Sequence, residues 1–454
     1  MRVRPFRGIR YNQKIIDNLA EVMCPPYDVI SAEHQKLYYE RSEYNAIRLE
    51  FPQLSADRYK RAASTFRQWL MAGVLQTDDI PAFYLHDHHF EYSGRGRMRR
   101  GLIARVKLEP WGKGIYPHEQ TLPKAKSDRL QMMRACRAAF SPLLSLYRDC
   151  DGKVASILAQ ASLGAPICQT KFLCPSPAHD RDWAVEQHSL WAITDPEINR
   201  QLSDLLSGQA LYIADGHHRY ETALTYQQER VQQQSQSLVG ASKAKQIPSD
   251  AEAFNYVMME LVEASDPGLV VLPIHRLIRG IAPATLDRLP EHLANFFVLE
   301  PVPLNMQDIT RCYTHTLATS EAGPSHEGRN VVLGVLGLQP EVLLLLRRRQ
   351  DISLDALMPP GKCQAYRQFD ISILNHVVMD GLLGGAQGLE VSYVVDLKEV
   401  YRQIDERRYQ LAFLVKPPDP QIVTAVADSG DRMPAKSTYF YPKLPAGLLI
   451  NPLD

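Results

Sequence analysis

In the run Leu211-Tyr-Ile-Ala-Asp-Gly-His-His-Arg-Tyr-Glu221-Thr-Ala-Leu224, a carboxylate, a glycine, two histidines and an arginine occupy consecutive positions, Asp215 to Arg219. Leu211, Ile213 and Ala214 read as a buried strand, and Tyr220, Ala223 and Leu224 then recur at helical spacing. Between them Gly216 permits a positive φ, so the polar residues sit on a sharp strand-to-helix turn. A helix N-terminus gathers orphan N–H groups and the positive end of the helix dipole. His217, His218 and Arg219 add donors suited to phosphate oxygens. Anion binding is the chemistry indicated. Paired histidines are also common as packed or surface residues, and a first-turn arginine is commonly solvated, so it is the strand-turn-helix context that favours a site.

A second group is Ile115-Tyr-Pro-His-Glu-Gln-Thr-Leu-Pro-Lys-Ala-Lys126, where Pro117 and Pro123 fence off a stiff segment carrying His118, Glu119, Gln120 and Thr121. Lys124, Lys126 and Arg129 follow closely. A carboxylate beside a histidine and cations suits a general base; the same residues also read as a solvated loop with a capping role. Near the C-terminus, Arg432, Lys436, Ser437, Thr438 and Lys443 lie among prolines and aromatics, a composition that orders donors around an anion or forms an arm packed by Tyr439, Phe440 and Tyr441. The loop Cys24-Pro-Pro-Tyr-Asp28 either lines a site or is a simple connector.

The elements that must position these groups are partly legible. A helix is expected from Ser55 to Leu70, a hairpin from Ala82–Tyr92 and Gly101–Leu108 around Ser93-Gly-Arg-Gly96, and further helices over Ser127–Phe140, Ile198–Leu206 and Ile422–Ser429. In the hairpin, His86 and His88 face one side while Asp87 and His89 face the other. No single face of that strand gathers three ligands, which argues against a metal there. Arg95, Arg97, Arg99 and Arg100 read as a solvated hairpin tip. The Gln/Ser-rich stretch after the central helix is the best boundary, giving an N-terminal region 1–230, a flexible linker 231–250 and a C-terminal α/β region 251–454.

With 454 residues and 45% apolar content, the chain has the size of two or three ordinary globular domains. Its net charge is zero, so no global field draws nucleic acid or an anionic membrane, and anion binding must come from local arrangement. The seven cysteines contain no Cys-x-x-Cys pair, which indicates neither a disulfide framework nor a structural zinc knot. No stretch approaches a membrane span and Met1 to Arg7 carry no apolar leader, so a cytoplasmic protein without membrane partners is expected.

Arg4-Pro-Phe-Arg-Gly8, Cys24-Pro-Pro-Tyr-Asp28, Pro117-His-Glu-Gln-Thr121, Ala214-Asp-Gly-His-His-Arg-Tyr-Glu221 and Met433-Pro-Ala-Lys-Ser-Thr-Tyr-Phe-Tyr-Pro-Lys443 together resemble the family known as domain of unknown function 1015. Three of these blocks, in the same order, also resemble the ADP-dependent free-serine kinases of the ParB/sulfiredoxin superfamily. The resemblance implies a mixed α/β fold with a ParB/sulfiredoxin-like core and additional N- and C-terminal α/β segments. It implies that Glu119, beside His118, activates the seryl hydroxyl, and that Asp215, Gly216, His217, His218 and Arg219 handle phosphate, with His217 among the catalytic groups. Lys436, Ser437 and Thr438 would contact the distal phosphate or phosphoserine. The sulfiredoxin cysteine would fall at His217, which excludes its sulfur chemistry. The interval between Glu119 and Asp215 is much longer than in the kinases, and the first hundred residues have no clear counterpart.

Phosphoryl transfer requires cations and oriented N–H groups around the transferred group and a base within reach of the attacking hydroxyl. The expectation is therefore a phosphotransferase acting on free serine or phosphoserine, in either direction. ADP, ATP or pyrophosphate would be the donor, and Mg²⁺ the accompanying ion with Asp215 a candidate ligand. The segments near Glu119 and Asp215 and the C-terminal arm are expected to meet at one cleft. The alternative is a nucleotide-binding regulatory or scaffold protein without turnover.

Overall fold

The computed structural model describes residues 2–119, 123–175, 183–239, 252–304, 309–318, 332–384 and 388–454. The chain forms two compact units: Met1–Pro117, Thr121–Val270 and Pro442–Asp454 make the first, and His118–Gln120 with Val271–Tyr441 make the second. Both are mixed α/β. No helix among the described residues is long and apolar enough to cross a membrane.

The first unit is built on a nine-stranded sheet of β1 (Val3–Arg4), β2 (Phe83–Tyr92), β3 (Arg95–Lys107), β4 (Ile115–Pro117), β5 (Leu143–Tyr147), β6 (Cys168–Pro175), β7 (Trp183–Ile193), β8 (Leu211–Asp215) and β9 (Tyr256–Glu263). The order is β4-β8-β5-β9-β3-β2-β7-β6, with β1 added to β3. Both faces are buried. Phe83, Leu85, Leu102, Ala104, Leu211 and Ile213 pack on one, Tyr84, Ile103, Leu190 and Met258 on the other, so these strands carry apolar residues at successive positions rather than only at alternate ones. The unit's helices include α1 (Arg58–Met71), α2 (Pro123–Cys136), α3 (Pro196–Leu206) and α4 (His217–Val239). Each of α1 and α3 shows a one-sided apolar stripe, Ala62, Ala63, Phe66 and Trp69 in the first, Leu202 and Leu206 in the second.

The expected hairpin forms with Tyr92 opposite Arg95 and both turn residues, Ser93 and Gly94, at positive φ, the twist that two-residue connections favour. Of the four hairpin arginines only Arg95 is exposed at the tip. Arg99 is fully buried and Arg100 forms a two-pronged pair with Asp87 on the opposite face, because both lie within the paired length of β3. Helix α2 ends earlier than the sequence pattern suggests: Arg137 adopts φ 50°, and Ala138–Ala139 pairs with Asn451–Pro452. The boundary also differs from the expected linker at 231–250. Its first residues continue α4 to Val239, and 240–251 lie outside the described residues. The next strand, β9, sits between β5 and β3 inside the first unit's sheet, which carries the division on to Val270.

The second unit holds a six-stranded sheet of β10 (His275–Arg279), β11 (Phe297–Pro303), β12 (Val332–Leu336), β13 (Val342–Arg348), β14 (Glu390–Val394) and β15 (Leu411–Leu414), in the order β11-β13-β12-β15-β10-β14. Leu277, Leu343, Leu345, Ala412 and Leu414 form its core with Val400 of α5 (Leu397–Asp405).

One layer of the first sheet is polar although buried: His86, His88, Arg99, Glu186, His188 and Glu260. Gly101 makes the space for it, since a Cβ at that position would run into the Glu260 side chain. Gly101→Ala is therefore expected to destabilise the first unit by about 1–3 kcal/mol, the range for overpacking a tight interior. A urea midpoint equal to that of the parent chain would show that Glu260 yields freely.

Candidate functional site

The strand-turn-helix read from the sequence is present in the first unit. β8 ends at Asp215, Gly216 takes φ 95°, and α4 begins at His217. The turn is anchored from below by Tyr220, fully buried, whose hydroxyl donates to the Glu109 carbonyl at 2.7 Å. β8 itself pairs in parallel with β4, aligning Ile213 with Pro117.

Asp215 is the centre of the turn's electrostatics. Lys443 Nζ bonds its Oδ1, and Arg219 Nη2 donates to its Oδ2 at 2.7 Å. Burial alone would push this carboxyl up, but Lys443 and then Arg219 outweigh it and hold Asp215 well below the usual carboxylate range. Arg219 is further fixed by donating through Nη1 to Ser141 Oγ at 3.0 Å and to the Pro142 carbonyl at 2.8 Å. Burial opposes its charge, yet Asp215, with Asp28 and Glu50, keeps the guanidinium above its ordinary value.

The Cys24–Asp28 loop belongs to this surrounding. The Tyr27 amide donates to Glu50 Oε1 at 3.4 Å, Ser141 Oγ donates to the same oxygen at 3.2 Å, and Arg129 stacks over the Tyr27 ring at 4.1 Å. Burial, then Asp28, raises the Tyr27 phenol to about 12, so it stays a hydrogen-bond donor at neutral pH. A small cavity of about 50 Å³ lies here, lined by Glu50, Arg129, Ser141 and Arg219 against Phe140, Leu143 and Val257. Motif reasoning did not single out Glu50 or Ser141, and it named Lys443 among the C-terminal donors without giving it a role. Glu50 and Ser141 carry no local signal, whereas Lys443 stood in the C-terminal block and was passed over for Lys436.

Asp215 does not fit the role of metal ligand. Both its oxygens are held by cations, and a divalent ion at this carboxylate would have to displace Lys443 or Arg219.

The other predicted residues gather in the second unit. The His118 carbonyl accepts from the Met433 amide at 2.6 Å, and Glu119 bridges in parallel to Met433. Glu119 Oε1 accepts the Lys436 amide at 2.8 Å, and His118 Nε2 lies 2.8 Å from Thr438 Oγ1. Lys436 takes φ 59°, and the buried Arg276 donates to its carbonyl at 2.9 Å. Burial lowers Arg276 to about 10, although Tyr393 and Glu119 act in the opposite sense. Ser437 is fully buried and donates to the Pro434 carbonyl at 2.6 Å, so its hydroxyl serves the turn itself. The C-terminal arm thus contributes Lys443 to the first unit and Met433–Thr438 to the second. Gln120 and Thr121, with the side chains of Lys124 and Lys126, lie outside the described residues.

A family model described as a protein of unknown function (DUF1015) matches residues 3–359. The chain belongs to the DUF1015 family. The DUF1015 match includes the Asp215 turn and stops short of the Met433–Lys443 arm. No curated protein matches this sequence. Among solved structures, this DUF1015 chain is similar to a conserved hypothetical protein from Pyrococcus furiosus, with 11% identity over 75% of this chain and 93% of that one and a TM-score of 0.33. It is also similar to a free serine kinase in complex with AMP, with 11% identity, 74% and 86% coverage and a TM-score of 0.32. SbnI from Staphylococcus aureus, truncated at its C-terminus, gives 11% identity, 74% and 82% coverage and a TM-score of 0.32. Likenesses at this level assign no activity.

Lys443→Met should destabilise the chain at neutral pH by about 3 kcal/mol, because it strips one counter-charge from a buried carboxylate. The sign with pH follows from the depressed Asp215: stability from the pair is complete above the unfolded carboxyl value of about 4 and is lost as pH falls through the lower folded value. The gap between parent and variant in denaturant midpoints should therefore be widest near pH 7 and shrink steadily below about pH 4. A gap independent of pH would rule out the pair as its source.

Proposed function

We propose that this chain is a nucleotide-dependent phosphotransferase acting on free serine or phosphoserine. The observation that carries the reading is the pair of cations, Lys443 and Arg219, set by Asp215 at the amino end of α4. Cations held in advance by a buried carboxylate, beside a helix dipole, are the kind of preorganised environment that stabilises charge on a phosphoryl group. The ordered resemblance of three sequence blocks to the free-serine kinases supplies the acceptor class.

In this reading His217, His218 and Arg219 with Gly216 receive phosphate oxygens, and Asp215 orients the cations rather than binding metal. Glu119, beside His118, accepts the proton of the seryl hydroxyl as the oxygen attacks phosphorus, and returns it in the reverse direction. Lys436, Ser437 and Thr438 form the turn that meets the distal phosphate or phosphoserine. Mg²⁺ would accompany an ATP, ADP or pyrophosphate donor and neutralise its charge. No step is assigned to a metal bound at Asp215.

A second reading, a nucleotide-binding regulator or scaffold without turnover, draws support from Glu119 itself. Its carboxylate accepts a backbone amide from Lys436, which is the bond of a structural cap. A scaffold needs that bond and no base.

The purified chain incubated with Mg²⁺, serine and each of ATP, ADP and pyrophosphate, in parallel with phosphoserine alone, is expected to form or consume phosphoserine by ³¹P NMR. Absence of both removes the serine assignment. Where turnover is seen, Glu119→Gln then separates a base from a structural cap. As a base, its loss lowers turnover by roughly 10² to 10⁴ with nucleotide affinity unchanged; as a cap, the amide oxygen still accepts the Lys436 N–H, and rate, affinity and melting temperature all stay near those of the parent.

A further inference from the structure

The buried polar layer of the first unit takes no part in the reading above. β2 and β7 pair with His88 directly opposite His188, and Glu186 lies two residues before His188 on the same face. One ligand atom from each of His88, His188 and Glu186 lies within 4.8 Å of the other two, with every one of these side chains at most 3% exposed. His88 Nε2 is 2.7 Å from Glu186 Oε2, and His188 Nε2 is 3.8 Å from that same oxygen.

With Glu260 ionised and His86 neutral, Glu260 Oε2 accepts from His86 Nδ1 at 2.8 Å, which leaves His86 Nε2 as an acceptor. His188 Nδ1, 3.1 Å away, must then carry the proton. His188 Nε2 is consequently a bare lone pair, fully buried, aimed at His88 and Glu186, and it has no hydrogen-bond partner. A buried lone pair without a donor is costly unless something electrophilic meets it. The Glu260–His86–His188 chain is also the support that metal-bound histidines ordinarily have, a second-shell carboxylate acting through the far ring nitrogen. Glu186 is held from its other side by the Cys174 thiol, 2.9 Å from Oε1.

We propose that His88, His188 and Glu186 bind one divalent transition-metal ion, of which Zn²⁺ is the best match, as a three-ligand site that fastens β2 to β7 and leaves the fourth position to a water. Two imidazole nitrogens and a carboxylate oxygen are a donor set suited to zinc. Ligand atoms about 2 Å from such an ion lie roughly 3.5 Å apart, so His188 draws in on Glu186 from 3.8 Å while His88 and Glu186, now 2.7 Å apart, open by less than an ångström. Occupancy requires His88 to carry its proton on Nδ1, the nitrogen that now faces Arg99 Nη2 at 3.2 Å. The guanidinium then turns to Glu260 Oε1, which lies 3.9 Å from Arg99 Nε and has no hydrogen bond of its own. Because the site is sealed, the ion enters as the unit folds.

The test uses the full, untagged chain unfolded in chelator and refolded with or without one equivalent of Zn²⁺, or of Co²⁺ as a visible probe. Zinc is expected to stay with the protein through gel filtration at one ion per chain and to raise the melting temperature. Cobalt should give the d–d absorption of a nitrogen- and oxygen-ligated low-coordinate site. His188→Ala and Glu186→Gln, where they refold by circular dichroism, should lose the equivalent, while Glu260→Gln should weaken binding about 10- to 100-fold through His86. Failure of the parent chain to retain either ion overturns the proposal without recourse to any variant. Retention of one equivalent by both folded ligand variants overturns it as well.

Discussion

Two cations on one carboxylate govern the organisation of the first unit's turn. Asp215 ends a buried strand, and a lone charge there would be expensive enough to protonate or to unfold its surroundings. Lys443 and Arg219 remove that cost. Through Arg219 the same carboxylate sets Ser141 and Pro142, through Ser141 it reaches Glu50, and Glu50 receives the loop that carries Tyr27. Residues from five separate stretches of sequence thus take their positions from one ionised group.

The second unit's clasp works differently. It closes on the backbone of the arm: the His118 carbonyl accepts the Met433 amide, the Glu119 carboxylate accepts the Lys436 amide, and the Arg276 guanidinium donates to the Lys436 carbonyl. Such bonds hold the backbone of the turn from both sides of Lys436, and they support its left-handed conformation. The Lys436 ammonium is left out of these bonds, so the clasp sets its starting point without using its charge.

The strand, the glycine and the helix around Asp215 were legible because they depend on local rules: apolar periodicity, a positive φ, a first turn. Membership in the family was legible for a related reason, since the shared blocks are short and contiguous. What was lost involves pairing between distant strands. His86 and His88 do share one face as expected, but the third and fourth polar groups come from Glu186 and His188 on β7. The Glu186-x-His188 spacing, repeating that of His86-x-His88, was the available signal, and counting ligands on one strand alone discarded it. Arg99 was misread likewise, because solvation of an arginine is decided by which neighbour covers its strand. The Gln-rich stretch marked the exposed flank of a helix, and composition alone does not reveal that the next strand returns to the middle of the sheet.

The sequence separation between Asp215 and Lys443 is 228 residues. During synthesis the acidic end of β8 therefore leaves the ribosome long before its principal counter-charge exists, and domains otherwise tend to fold in order of emergence. Until Lys443 arrives, the turn holds a buried carboxylate with Arg219 as its partner and half its compensation missing. Loop closure over such a distance is slow. The first unit can assemble its sheet early, but its most charged corner is completed only by residues made after the whole of the second unit, so a chain interrupted anywhere in that interval carries the motif without the means to arm it.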